Sequence, residues 1–273
     1  MTPQPTVTQD TLAQDTAKPI PSPRNGTDGG LRSVLAALDL LDCFASADEL
    51  GVSEIARRLG LAKSTVHRLL TTLCARGLAE KNPHTSRYRL GFRLYELGQL
   101  AISRFELRQA ALPLLEELRE RTGCTIHLAI PDGADIVYVE RLQTLRGMRL
   151  MTNVSRRLPA HCTSSGKAIA AFDPAVAQAR RAAGFPQLTS CSIRSAADYD
   201  RELEAVRRTG YAVNHDEALV GLSSVAAPVR DHEGRARAAI SLVGLSREIE
   251  SAIERNARLA QAAANKLART LCL

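Results

Sequence analysis

Two helical repeats sit back to back in residues 53–70, SEIARRLGLAKSTVHRLL, with only Leu59-Gly60-Leu61 between them. Apolar residues recurring every three or four positions predict one helix over Val52–Leu59 and another over Ala62–Ala75. Ser53 is the expected N-cap of the first helix, Gly60 the turn, and Gly77 the residue that ends the second. So tight a turn makes two short helices cross, which is helix-turn-helix geometry and leaves few folds open. On the second helix Val66, Leu69, Leu70 and Leu73 share one side, the side for a core. The opposite side carries Ser64, Arg68 and Thr71, with His67 and Thr72 on its flanks, and Lys63, Ser64 and Thr65 fill the first turn. A helix start offers free N–H groups and partial positive charge, which suit phosphate. Arg68 is long enough to meet guanine O6 and N7 in a major groove, and Ser64, His67 and Thr71 have the chemistry to meet neighbouring edges. The second helix is therefore the expected reader of double-stranded DNA.

The flanking residues extend this pattern. Leu31, Val34, Leu35, Leu38, Leu41 and Cys43–Phe44 follow helical spacing and predict a preceding helix. After Gly77, Leu78 and Tyr88–Leu90 flank the turn cluster Asn82-Pro83-His84-Thr85-Ser86, which predicts a β-hairpin. Three helices and a hairpin in this order make a winged helix-turn-helix. Charge agrees. Residues 57–93 hold nine Lys or Arg and one acid, a net +8, while residues 31–56 carry −4. The chain's whole excess of +7 fits in the one window, as expected for a polyanion partner. Arg87 and Arg89 are the expected wing contacts to phosphate.

Length of 273 residues suggests two domains. Residues 1–30, rich in Pro, Thr, Gln, Asp and Gly, read as a disordered tail. The expected organisation is then a DNA-binding domain over 31–93, a linker helix over 94–110 with its stripe at Leu94, Leu97, Ala101 and Phe105, and a second domain over 111–273. Pro113 is read as a break or a new helix start. In the second domain CTIHLAI (124–130) and IVYVERL (136–142) read as strands, as do 211–215, 222–229 and 236–244. Helices are expected at 165–172, 174–183, 198–209 and 246–270. Hairpin-linked strands with helices on them predict an α+β fold with a mostly antiparallel sheet. Three segments, CTSSGK (162–167), VNHDEALVGLSS (213–224) and AAISLVG (238–244), set small polar residues near strand or helix ends, where Ser164, Ser165, Asn214, Ser224 and Ser241 are candidate donors to a ligand.

The residues just quoted resemble the IclR family of bacterial transcription regulators. The DNA-binding half is similar over Leu31–Phe44, EIARRLGLAKSTVHRLLTTL (54–73), RGL (76–78) and YRLG (88–91). The second half is similar over GADIVYVERL (133–142), RLPAHCTSSGKA (157–168), GYAVNHDEALVGLSSVAAPVRD (210–231) and AAISLVG (238–244). Its most specific piece runs from Glu217 through Gly221 to Ala226-Ala227-Pro228. The resemblance implies a linker helix and a GAF-like effector-binding domain in which Ser164, Ser165, Asn214, Ser224 and Ser241 line one pocket. It implies a homodimer or homotetramer on operator DNA, acting as repressor or activator under the control of a small organic acid, with aromatic acids a leaning. Asn214 stands where the family often has Asp, and Val243 where members that bind small keto acids often have Ser.

Two rival readings exist. Ser164-Ser165-Gly166-Lys167 fits S-x-x-K, the pattern of a Ser-Lys hydrolase, but no S-D-N or K-T-G follows. His127 and His161, with Cys124 and Cys162, are soft ligands for a metal-sensing regulator, although Cys124 and His127 fall on opposite sides of a strand. The expectation is therefore no catalytic residue, no metal and no cofactor. With no apolar run of about 18 residues, no secretory signal and six scattered cysteines, the expected place is the cytoplasm, on the nucleoid, without a membrane partner.

Overall fold

The structure is a computed structural model that describes residues 31–103, 106–144 and 155–273. The expected tail over 1–30 and Phe105 of the expected linker stripe lie outside these residues. Contacts divide the chain into two units, the first ending at Ala101 and the second starting at Ile102.

The first unit holds helices α1 (Arg32–Asp42), α2 (Val52–Leu59) and α3 (Lys63–Ala75), strands β1 (Ala79–Lys81) and β2 (Tyr88–Leu90), and then α4 (Phe92–Ser103), which runs to the division. Leu40, Phe44, Ile55, Val66, Leu70, Leu73, Ala79 and Tyr88 form its core. Gly60 turns α2 into α3 with φ +66°, a left-handed conformation that costs a side-chain-bearing residue more than glycine. Ser53 is not the cap of α2. Gly51 holds that position, and its N–H donates to the Glu54 carboxylate at 3.2 Å. β1 and β2 pair antiparallel, and Leu50 adds a bridge to Tyr88. The apolar stripe expected along α1 divides, with Leu41, Cys43 and Phe44 packed in this core. Leu31, Val34, Leu35 and Leu38 are 50–73% exposed, whereas Leu40, from the opposite side, is buried. The helix is apolar on both sides, and among the described residues only one of them is covered.

The second unit is a six-stranded antiparallel sheet in the order β5-β4-β3-β8-β7-β6 among the described residues. Its strands are β3 (Thr125–Asp132), β4 (Asp135–Leu142), β5 (Arg157–Pro159), β6 (Ala212–His215), β7 (Leu222–Arg230) and β8 (Ala236–Leu245). The helices are α5 (Glu106–Thr122), α6 (Ser164–Phe172), α7 (Pro174–Ala183), α8 (Ala196–Thr209), α9 (Ser246–Glu250) and α10 (Ile253–Thr270). Strand alternation builds two cores. Ile126, Leu128, Ile240, Leu242, Ala227 and Val229 face α5 and α10. Ala129, Tyr138, Ala226 and Ala239 face α6, α7 and α8.

Pro113 does not break the chain: it lies inside α5, where burial of Ala111, Leu114, Leu115 and Leu118 offsets one lost backbone hydrogen bond. The expected single helix over 246–270 is split at Ser251-Ala252. At Gly166 an added Cβ would lie 2.2 Å from the Ala160 carbonyl oxygen, so only glycine lets the start of α6 seat on the turn before it.

Candidate nucleic-acid interface and ligand-binding face

Helix α3 separates its two chemistries as its spacing dictates. Val66, Leu70 and Leu73 are buried, Leu69 is half-buried, and Lys63, Ser64, Thr65, His67, Arg68 and Thr71 are exposed. Thr71 Oγ1 donates to the His67 carbonyl at 2.8 Å, which fixes its rotamer and leaves its lone pairs outward. The wing is braced rather than loose. Asn82 Nδ2 and Thr85 Oγ1 donate to the Glu49 carboxylate at 2.6 and 2.9 Å. Arg87 donates to Glu54 at 2.5 Å and to the Glu49 carbonyl at 3.1 Å. The Arg87 guanidinium thus braces the wing against α2 while its side chain stays 41% exposed. Arg89 pairs with Glu80 at 3.0 Å and stays more than half exposed.

In the second unit, register aligns polar residues on the sheet face under α6. Thr125 pairs with Val243, which pairs with Ser224, which pairs with Asn214. In the next row Arg141 pairs with His127, and His127 with Ser241. The expected donors divide. Ser164 and Ser224 share a hydrogen bond at 2.7 Å. Asn214 Nδ2 donates to the Cys162 carbonyl at 2.7 Å, and its Oδ1 accepts from the Glu217 N–H at 3.0 Å. Ser165 Oγ and Ser241 Oγ are buried without a partner, and so are Thr125 Oγ1 and both ring nitrogens of His127. Sequence reasoning missed Thr125 and Arg141 here; alternation from His127 was the available signal for both.

The Tyr138 ring lies 4.4 Å from that of His127, with the Arg141 guanidinium 4.9 Å from the Tyr138 centroid. Burial, with the Arg141 and Arg156 charges, pushes the His127 imidazole down to about 3. Below the ordinary value of about 6.5 the unfolded chain takes up a proton that folded His127 refuses, so stability falls with falling pH until about 3. Between pH 7 and pH 5 this residue accounts for a loss of about 2 kcal/mol. Urea unfolding at both pH values checks it, since His127→Leu should show that much less pH dependence.

Lys167 is 1% exposed and reaches Glu217 at 2.6 Å and Glu202 at 3.3 Å. Burial raises the Glu217 carboxyl above the ordinary carboxylate value, against the pull of Lys167. The Ser-Lys pairing therefore has no support, since Ser164 bonds to Ser224 and the Lys167 ammonium is held by carboxylates. The metal reading has none either. His161 meets the Pro186 carbonyl at 3.0 Å and Cys162 Sγ at 3.2 Å, while the His127 ring packs tilted against Tyr138. Among the described residues no three such side chains are placed to hold an ion.

An exposed reading helix on a winged unit, with a separate sheet carrying unpaired polar groups, defines a ligand-responsive DNA-binding regulator. Known proteins agree. The family model for the IclR helix-turn-helix domain matches residues 33–83, and that for the bacterial transcriptional regulator IclR C-terminal region matches residues 99–269. The chain belongs to the IclR family of bacterial transcriptional regulators, and it is a regulator, not an enzyme. It is 36% identical to the HTH-type transcriptional regulator XynR of Escherichia coli K12 over 225 residues, 81% of this chain and 89% of that one. It is 33% identical to the glycerol operon regulatory protein of Streptomyces griseus, over 81% of this chain and 86% of that one. Among solved structures it resembles the Thermotoga maritima IclR (TM-score 0.69, 28% identity, 88% of this chain and 99% of that one). An IclR homologue from Microbacterium hydrocarbonoxydans complexed with 4-hydroxybenzoate gives a TM-score of 0.73 at 26% identity, over 88% and 97% of the chains. No helix among the described residues is long and apolar enough to cross a membrane.

Proposed function

We propose that this regulator binds a specific operator through α3 and releases or reshapes it when a small organic acid occupies the sheet face. Ser64, His67, Arg68 and Thr71 read base edges, and Lys63, Thr65, Arg87 and Arg89 hold phosphates. Ser164, Ser165, Asn214, Ser224 and Ser241 build the effector site. Ser165 and Ser241 touch the ligand, while Ser164, Ser224 and Asn214 hold the walls. The Arg141 and Arg156 charges favour an anion on this face. The relative complexed with 4-hydroxybenzoate shows an acid of aromatic kind held by a protein of this family, and aromatic acids belong in any effector screen.

The domains divide as 31–93, linker 94–110 and 111–273. The regulator works on the nucleoid in the cytoplasm as a homodimer or homotetramer. The outward apolar side of α1, together with exposed Phe92, Tyr95, Leu97 and Leu100 on α4, supports this assembly, because such a face is covered by a second copy. The observation that carries the reading is the solvent-facing polar side of α3 backed by buried Val66, Leu70 and Leu73. Selection from a random duplex library tests it. Enrichment of a two-fold symmetric sequence, with half-sites one or more helical turns apart, is expected. No enrichment over the starting library contradicts it.

A further inference from the structure

We propose that the open cleft beyond the end of β6 is a second ligand site, separate from the effector face, and that it takes a free α-amino acid. The cleft measures about 520 Å³, a size usual for small-molecule sites. It lies among the loop over residues 191–194, α8 and the turn after β6, and its walls include Glu202, Glu217, Arg194, Arg201 and Cys191. Ser164, Ser165, Asn214, Ser224 and Ser241 do not line it. Glu217 is 6% exposed, and its two carboxylate oxygens differ. Oε1 accepts from Lys167 Nζ at 2.6 Å and from the His215 N–H at 3.4 Å. Oε2 is buried with no hydrogen-bond partner. Buried polar atoms in native proteins nearly always have a partner, and a charged acceptor is among the most costly to leave without one. A buried carboxylate oxygen that lacks a partner, on a residue lining a cleft, marks where a donor comes from outside.

The neighbouring groups select the donor. Glu202 also meets Lys167 Nζ, at 3.3 Å, so the two carboxylates converge and share one ammonium. A second ammonium, with three N–H groups, can meet Glu217 Oε2 and Glu202 together. A metal ion does not suit the place, because among the described residues no three His, Cys, Asp or Glu side chains are set to hold one. An amine alone leaves the arginines unused. Arg194 donates through one nitrogen to the Ser190 carbonyl at 2.8 Å, and Arg201 bridges to Asp198. Each guanidinium keeps further N–H groups for a ligand carboxylate. His215 meets Glu250 at 3.3 Å. Apart from it, and counting Lys167, the cleft sets three carboxylates (Asp198, Glu202, Glu217) against three cations. That balance favours a ligand that is dipolar but neutral overall, as an α-amino acid is at neutral pH. A hydrogen bond from the Glu217 N–H to Asn214 Oδ1 at 3.0 Å ties the cleft to the wall of the effector face.

Alkylation of Cys191 tests the proposal, because this thiol is exposed and lines the cleft, while Cys272, also exposed, does not line it. Iodoacetamide labelling of the full chain is followed at each cysteine by peptide mass spectrometry. It is run with a mixture of the protein amino acids other than cysteine, with propionate, and with propylamine. The mixture is expected to slow labelling of Cys191 about tenfold once its ligand stands at about ten times its Kd, with Cys272 unchanged. Propionate and propylamine are expected to leave both rates unchanged. Glu202→Gln and Arg194→Gln should each lose the protection while keeping a thermal midpoint close to wild type, since both residues are exposed. Arg201→Gln replaces either variant that does not fold. If propionate or propylamine protects as well as the mixture, the ligand is not an amino acid and the proposal falls. If nothing protects Cys191, or protection survives in both variants, the cleft is not the site.

Discussion

Arg68→Ala will lower affinity for the selected operator roughly 5- to 150-fold, the range of about 1–3 kcal/mol carried by one bidentate contact to guanine. Its thermal midpoint will stay within about 1 °C of wild type, because Arg68 is exposed on the side of α3 away from Val66 and Leu70. Affinity for unrelated DNA will fall much less, since that binding comes from phosphate contacts. Lys63→Ala and Arg89→Ala should do the reverse, weakening all sequences alike and reducing the salt dependence. Gel shifts on operator and scrambled duplexes separate the two behaviours.

Lys167→Met will cost about 3–5 kcal/mol of folding stability at neutral pH, because it leaves the buried Glu217 carboxylate without its ammonium. For a unit of this size that is a drop of roughly 6–20 °C in the midpoint. Burial already raises the Glu217 carboxyl, and losing Lys167 raises it further. The folded variant then binds a proton that the unfolded chain releases, so the deficit relative to wild type shrinks as pH falls. Adding Glu217→Gln to Lys167→Met should recover part of the loss at pH 8 and less at pH 5. Calorimetry of the single and double variants at both values reads this directly. A single variant as stable as wild type would mean the pair adds nothing to the fold.

What could be read from sequence was local. The boundaries of α2 and α3, the division of faces on α3 and the hairpin follow from spacing within a dozen residues. The strands from Thr125 to Leu245 follow from runs with turn residues between them. What could not be read depended on partners distant in the chain. Spacing shows that a face of α1 is apolar, not what covers it: Leu31, Val34, Leu35 and Leu38 are exposed, while Leu40, outside that stripe, is buried. β5 is three residues at a sheet edge, with no periodicity to reveal it. Pro113 reads as a break because propensity ignores the packing of Leu114 and Leu115. Lys167 and Glu217 are fifty residues apart, and nothing local to either announces the pair. At the candidate site, composition pointed to the serines and Asn214, but only hydrogen bonding separates Ser164, Ser224 and Asn214, which hold one another and the chain, from the unpaired Ser165 and Ser241.

The central claim is that Arg68 meets a guanine edge from the outward side of α3. Replacing single operator guanines with 7-deazaguanine, and measuring wild type and Arg68→Ala on each duplex, tests it most directly. One substitution per half-site should weaken wild type about tenfold and leave Arg68→Ala unchanged, a coupling that only a shared contact produces. If every substitution weakens both proteins equally, Arg68 does not read that edge and the account of α3 is wrong.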